Sequence, residues 1–244
     1  MQTKPYLSKV EIRKDRIVSF TKFPFNIPAI KNFSEIKFHE DVTFLVGENG
    51  SGKSTFLEGL SEWLGISQEG GSRGTPSNMA PSLLSEFIYG LKNHKKPSDY
   101  FFLRAENFYN FVTYLDERYV EDRDLFYRTY GLDSLHDCSH GEAFLTILSQ
   151  RLGRNGLYLF DEPEAALSPT RLLTALSLID NLVKQGSQLI IATHSPILLA
   201  YPNAVIYQFD EEGVKEITYE QSQAYIITKS FVNNYKGMIE LLLH

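Results

Sequence analysis

The chain has only one cysteine in 244 residues, and a lone thiol at Cys138 cannot close an internal disulfide. That usage fits a reducing compartment, so the expected location is cytoplasmic, with Cys138 a small buried or half-buried residue. Long apolar runs are also lacking. The best candidate, around Pro196-Ile197-Leu198-Leu199-Ala200-Tyr201, is interrupted by prolines and falls short of the roughly 18 residues of a membrane span. The first residues, Met1-Gln2-Thr3-Lys4-Pro5, lead into charge rather than an apolar signal core, so neither secretion nor membrane insertion is expected. Positive charge is in deficit: 24 Lys and Arg against 30 Asp and Glu give a net charge of −6. The overall field therefore gives no reason to expect nucleic acid, and only a local basic patch leaves that partner open. Internal repeats, low-complexity tails and sustained heptads are missing too. The remaining composition, 43% hydrophobic and 22% charged, is that of a globular domain long enough to bury a sizeable core.

Residues 1 to about 46 alternate polar and apolar side chains (Val10, Ile12, then Ile17, Val18, Phe20) and read as short strands. Residues 67–82, rich in glycine, serine and proline, read as a mobile loop. From Ser82 to about Leu132 the pattern is helical and aromatic, with one strand at Tyr100–Leu103. From Ser134 onward it alternates: helix 141–152, strand 157–160, helix 169–184, strand 188–192. Strands and helices in alternation imply a largely parallel sheet covered by helices. The expected organisation is one domain: a β-lobe and loop (1–66), a helical lobe (67–133) and a third part (134–244) ending in a helix.

The stretch Gly47-Glu48-Asn49-Gly50-Ser51-Gly52-Lys53-Ser54-Thr55 carries the chemistry. It fits G-x-x-x-x-G-K-[ST], a turn whose backbone N–H groups converge at a helix start and cradle polyphosphate. Gly47, Asn49, Gly50, Ser51, Gly52, Lys53, Ser54 and Thr55 are the candidate phosphate contacts. Gly156–Glu162 is a buried-strand run ending in two acids. Asp161 there can hold Mg²⁺ that Ser54 also ligates, and Glu162 can polarise an attacking water. Read alone, such a strand end is equally a solvated terminus. Gln188–Pro196 repeats the pattern, leaving His194 at an exposed strand end within reach of a γ-phosphate; alone, that histidine is merely exposed. Ser139-His140-Gly141-Glu142 precedes an amphipathic helix and reads either as a cap or as a second anion-ready terminus.

Those four motifs, in that order, resemble the ATP-binding cassette ATPases over residues 8 to 210. The resemblance implies a P-loop NTPase fold of the α/β class, an ABC-type head with an N-terminal antiparallel β-lobe and a helical subdomain. It makes Ser139, Gly141 and Glu142 the signature, Asp161-Glu162 the Walker B pair, Ala165–Ser168 the D-loop and His194 the switch histidine. Asp-Glu-Pro-Glu-Ala-Ala-Leu-Ser-Pro and Ala-Thr-His-Ser-Pro are similar to the RecF-like, SMC-like and OLD-like branch. Small stand-alone ATPases of that branch have a segment similar to Phe102-Leu103-Arg104-Ala105-Glu106.

Three departures bear on function. The transporter wording Leu-Ser-Gly-Gly-Gln is here Cys138-Ser139-His140-Gly141-Glu142. Glu106, an acid, stands where the family's Mg²⁺-contacting glutamine is expected. Lys53 and Ser139 are 86 positions apart (139 − 53), leaving no room for coiled-coil arms. By resemblance, two copies sandwich ATP and Mg²⁺ head to tail, with Lys53, Glu162 and His194 catalytic and Ser54, Asp161 and Glu106 at the metal. A homodimer that hydrolyses ATP and acts in DNA repair, in antiphage defence or on a nuclease, toxin or other effector is the leading expectation. The energy-supplying subunit of a membrane transporter is the alternative. Phe20, Phe23 and Phe25 are candidates to stack on adenine or to fill the core. The aromatic band Tyr100–Tyr119 fits base stacking or core, and the apolar positions of 221–244 fit packing on the domain or an interface.

Overall fold

The computed structural model describes residues 4–77 and 79–243. Its strands are β1 (Leu7–Ile12), β2 (Glu35–Lys37), β3 (Val42–Val46), β4 (Gly71–Ser72), β5 (Ile88–Lys92), β6 (Asp99–Arg104), β7 (Gly156–Asp161), β8 (Gln188–Ala192), β9 (Val205–Asp210) and β10 (Gly213–Ile217). Its α-helices are α1 (Pro28–Lys31), α2 (Lys53–Leu64), α3 (Phe108–Arg118), α4 (Arg123–Tyr130), α5 (His140–Thr146), α6 (Pro169–Lys184), α7 (Pro196–Leu199), α8 (Gln223–Asn233) and α9 (Tyr235–Leu243). The fold is α/β with a mostly parallel main sheet, ordered β10-β9-β3-β8-β7-β6-β4. The five inner strands are parallel, and β10 and β4 are antiparallel edges.

Inner strands are covered on both faces, which is why β3, β7 and β8 are buried at every position. Alternation still assigns each side chain to a face. Tyr158 and Phe160 of β7 join Phe44, Phe101 and Ile191 beneath α3, α5 and α6. Leu157 and Leu159 join Leu45, Phe102 and Ile190 against α2 and the small lobe.

That lobe is an antiparallel sheet ordered β2-β1-β5, so the expected N-terminal lobe takes its third strand from beyond the phosphate loop. The expected helical stretch from Ser82 thus contains a strand, β5, as well as α3 and α4. Gly90 sits inside β5 because the Trp63 ring lies only 2.5 Å from where its Cβ would stand. The expected strand at Ile17–Phe20 is not one: the chain turns there, and Val18 is fully exposed. The segment expected to be a mobile loop is pinned in part, because Gly71–Ser72 pairs with Phe101–Phe102 and the Gln68 amide donates to the Ala80 carbonyl. The final helix is two helices, α8 and α9, that bury no apolar side chain. No helix among the described residues is long and apolar enough to cross a membrane.

Candidate active site

In a parallel sheet, loops gather at the strands' carboxyl ends, and here β8 lies between β3 and β7. The amide of Thr193, after β8, donates to the Leu45 carbonyl of β3 (3.1 Å). The Glu162 amide, after β7, donates to the Ala192 carbonyl of β8 (2.9 Å). Three strand ends are thereby stitched side by side.

From β3 the chain turns through Gly47 and Gly52, at φ 147° and 103°, into α2. A Cβ on Gly47 would stand 2.4 Å from the Phe209 carbonyl oxygen, so only glycine fits there. Gly52 caps α2 with no side-chain bond, leaving the helix's first amides for another acceptor. The Lys53 ammonium folds back onto its own loop, donating to the carbonyls of Gly47 (2.8 Å) and Glu48 (3.0 Å). Burial lowers its pKa, while the nearby charges of Glu162, Asp161 and Glu164 oppose that shift. Ser51 Oγ is buried in the loop with no hydrogen-bond partner among the described residues. A phosphate oxygen would satisfy it, so the loop fits a polyphosphate group.

Across from the loop, the Ser54 hydroxyl donates to Asp161 Oδ1 (3.1 Å). Burial pushes the Asp161 carboxyl up to about 6, against the pull of Arg104 and Ser54, with Glu162 and Glu58 adding to the rise. A hydroxyl beside a carboxylate short of compensation suits Mg²⁺, which takes one or two protein oxygens and fills its octahedron with water and phosphate. No cluster of three or more acidic, histidine or cysteine ligands exists among the described residues, which such a site does not need. Glu162 adopts a left-handed conformation (φ 50°, ψ 50°), uncommon for a residue with a side chain. Its carboxylate is half exposed and lies 3.6 Å from His194 Nε2.

The structure thus brings Lys53, Ser54, Asp161, Glu162 and His194 together. Glu106 is placed differently: its carboxylate accepts from Arg104 Nη2 (3.0 Å) and is largely exposed. Ser139 caps α5 in a reciprocal box with Glu142, and Arg171 of α6 donates to Ser139 Oγ (2.9 Å) and Glu142 Oε1 (2.8 Å). The box's backbone donor holds the Glu142 carboxyl below its usual range. A Cβ on Gly141 would stand 2.7 Å from Arg171 Nη1 and 2.8 Å from the Ala166 carbonyl oxygen, so the Ser139–Glu142 segment packs on both the 165–168 turn and α6. Of the adenine candidates, Phe25 is core against Phe87, Phe20 is partly buried and Phe23 is exposed. In the aromatic band, Phe101, Phe102 and Phe108 are core.

Two residues escaped the sequence reading. Arg104, buried, joins Glu58 (2.8 Å), Glu106 (3.0 Å) and Asp161 (3.5 Å) and donates to the Gln68 carbonyl. Its signal was an arginine continuing a buried apolar strand. Glu164 accepts from Thr193 Oγ1 (2.7 Å) and from the His194 amide, which fixes the backbone that carries the histidine. Its signal was the second acid of Asp-Glu-Pro-Glu.

Residues 142–200 match the family described as "AAA domain, putative AbiEii toxin, Type IV TA system", and residues 19–107 match one described as "AAA domain". The nucleoside import ATP-binding protein NupA of Lactococcus lactis subsp. cremoris (strain MG1363) is 31% identical over 168 residues, covering 63% of this chain and 33% of that protein. The ribose import ATP-binding protein RbsA of Clostridium perfringens (strain SM101 / Type A) is 25% identical, covering 73% and 39%. The chain spans about a third of the length of the curated relatives it matches. An SMC head solved bound to the C-terminal winged-helix domain of ScpA has the same fold: TM-score 0.50, 15% identity, 87% of this chain and 98% of that one. The fold and phosphate loop are those of P-loop NTPases. The motif order and these matches are similar to those of ABC-like P-loop ATPases.

Proposed function

We propose that this protein binds and hydrolyses ATP with Mg²⁺ and that ATP switches it between single and paired copies. The observation that carries the reading is the convergence of Lys53 and Ser54 with the acidic end of β7. Lys53 moves from its own loop carbonyls to the β- and γ-phosphates, and the α2 amides and Ser51 take the remaining oxygens. Ser54 and Asp161 would hold the metal, with Glu106 an outer candidate beyond Arg104; when bound it would supply neutralisation of phosphate charge. Glu162 takes the proton of the attacking water, and His194, placed by Glu164, holds that water or the γ-phosphate. Ser139, Gly141 and Glu142 of a second copy close the other side, which requires the Arg171 contacts to loosen.

The work driven by this cycle is regulation of an effector, with repair or antiphage defence as the setting; the toxin wording of the family matched at 142–200 favours that. A second reading, the ATP-binding subunit of a transporter, is favoured by the transport proteins among the relatives, and the Cys-Ser-His-Gly-Glu signature weighs against it. The test is Glu162→Gln: ATP binding is retained, turnover falls on the order of 10²–10⁴-fold, and ATP accumulates a dimer in sedimentation. Undiminished turnover overturns the base assignment, and a monomer at saturating ATP overturns the switch.

A further inference from the structure

At the amino ends of the parallel strands, the other end of the sheet from the phosphate loop, lies a cavity of about 200 Å³. Its wall includes Tyr100 and Leu157, at the amino ends of β6 and β7. Leu157 and Asp161 are four residues apart on β7, about 13 Å along the strand, so the cavity is separate from the candidate active site. Arg73, Lys92, Lys95 and Lys96 line it, above a floor formed by Tyr6, Leu64, Tyr100 and Leu157.

Four cations at one concavity are unexpected in a chain with a net charge of −6. Among the described residues none of the four forms a salt bridge with a carboxylate, whereas Lys4, Lys9, Lys37, Lys184 and Lys215 all do. Partial desolvation of its ammonium, together with the positive charges of Arg73 and Lys96, lowers the pKa of Lys92. Two of the cations are held in place. The Arg73 guanidinium stacks on Tyr100, 3.5 Å from the ring centroid, while its Nε and Nη2 donate to the Leu64 carbonyl. Lys92 Nζ sits 3.7 Å from the centroid of Trp63. Lys95 and Lys96 are exposed on the turn between β5 and β6 and close the rim. Mutually repelling charges anchored around one hollow are stabilised by a compact anion that enters it.

We propose that this cavity binds a dianionic phosphate monoester, with the phosphoryl group among the four cations and its carbon skeleton on the aromatic and apolar floor. The convergence on one hollow suits a single phosphoryl group rather than a run of phosphodiesters, which needs cations spread along a track. Two sources present this chemistry, a small phosphorylated molecule and the 5′-phosphorylated end of a nucleic-acid strand.

The experiment uses the full chain carrying Lys53→Ala, which removes the phosphate loop's ligand and so keeps this test independent of the ATP reading. Calorimetry with inorganic phosphate and ribose 5-phosphate, and anisotropy with 5′-phosphorylated and 5′-hydroxyl oligonucleotides, are run with and without Lys95→Gln/Lys96→Gln. Both lysines are exposed, so the double variant keeps its fold, as circular dichroism checks. Saturable binding of a monoester, at least tenfold weaker in the double variant, is expected. Tighter binding of the phosphorylated strand than of ribose 5-phosphate assigns the source to a strand end, and the reverse assigns it to a small ligand. Two results overturn the proposal: no saturable monoester binding at millimolar concentration, or equal binding by the double variant.

Discussion

Replacing Asp161 by asparagine should make the ligand-free chain more stable at neutral pH, although the residue stands in the candidate metal site. Asp161 is 5% exposed, and its carboxyl is displaced from 3.8 to about 6, first by burial. A raised carboxyl means that between those values the folded chain keeps a proton that the unfolded chain releases. The group's contribution is therefore fully present below pH 3.8 and lost as pH rises through about 6. At pH 7.5 the folded chain carries the whole cost of the buried charge, about 3 kcal/mol at about 1.4 kcal/mol per pH unit. Asparagine removes the charge and can still accept from Ser54, while Arg104 keeps Glu58. A gain of about 2–3 kcal/mol raises the melting temperature by roughly 5–10 °C for a chain of this size. Urea unfolding of both proteins from pH 4 to 8 measures the difference directly. The expected curve is a stabilisation at pH 7.5 that shrinks to near zero at pH 4, where the native carboxyl is already neutral. A variant less stable than the parent at pH 7.5, or a gain that persists unchanged at pH 4, would refute the assignment of strain to this charge. With MgATP added the order should invert, because only the parent has a carboxylate for the metal.

Arg104→Met should cost about 3 kcal/mol, because it leaves the part-buried Glu58 and the buried Asp161 carboxyls without their shared cation; chemical denaturation at pH 7.5 reads this, and a loss under 1 kcal/mol contradicts the bridging role. Gly52→Ala should weaken ATP binding and cost about 1–2 kcal/mol, since φ is 103° there and the new methyl would meet Ile27 at 3.0 Å. Arg171→Ala should change stability by less than about 1 kcal/mol, its ion pair with Glu142 being largely exposed. The same change frees Ser139, so the signature reading expects a shift in the ATP concentration that gives dimers; an unshifted midpoint in sedimentation counts against it.

The phosphate loop, β7, α6 and β8 were legible because each is a strong local pattern: a glycine turn, a fully buried strand, a capped amphipathic helix. β5 was not, because Gly90 interrupts it to admit Trp63, a tertiary contact invisible along the chain. Nor was β4, two residues whose pairing with β6 is their only mark as a strand. Ile17, Val18 and Phe20 alternate as a strand should, yet no neighbouring strand pairs with them. Within the site, Lys53, Asp161 and Glu162 carry spacing that chemistry dictates. Arg104 pairs with Asp161, and Glu164 holds the backbone of His194; a supporting contact of that kind is set by three-dimensional neighbours rather than by spacing. Glu106 shows the converse: a residue picked by position along the chain is paired with Arg104 in space.

The most direct measurement is a calorimetric titration of MgATP into the native chain and Lys53→Ala. If the glycine loop and the β7 acids form one nucleotide site, the native chain takes up one ATP per copy and the variant shows no saturable heat. Equal affinity in the two proteins would place ATP elsewhere and contradict the account.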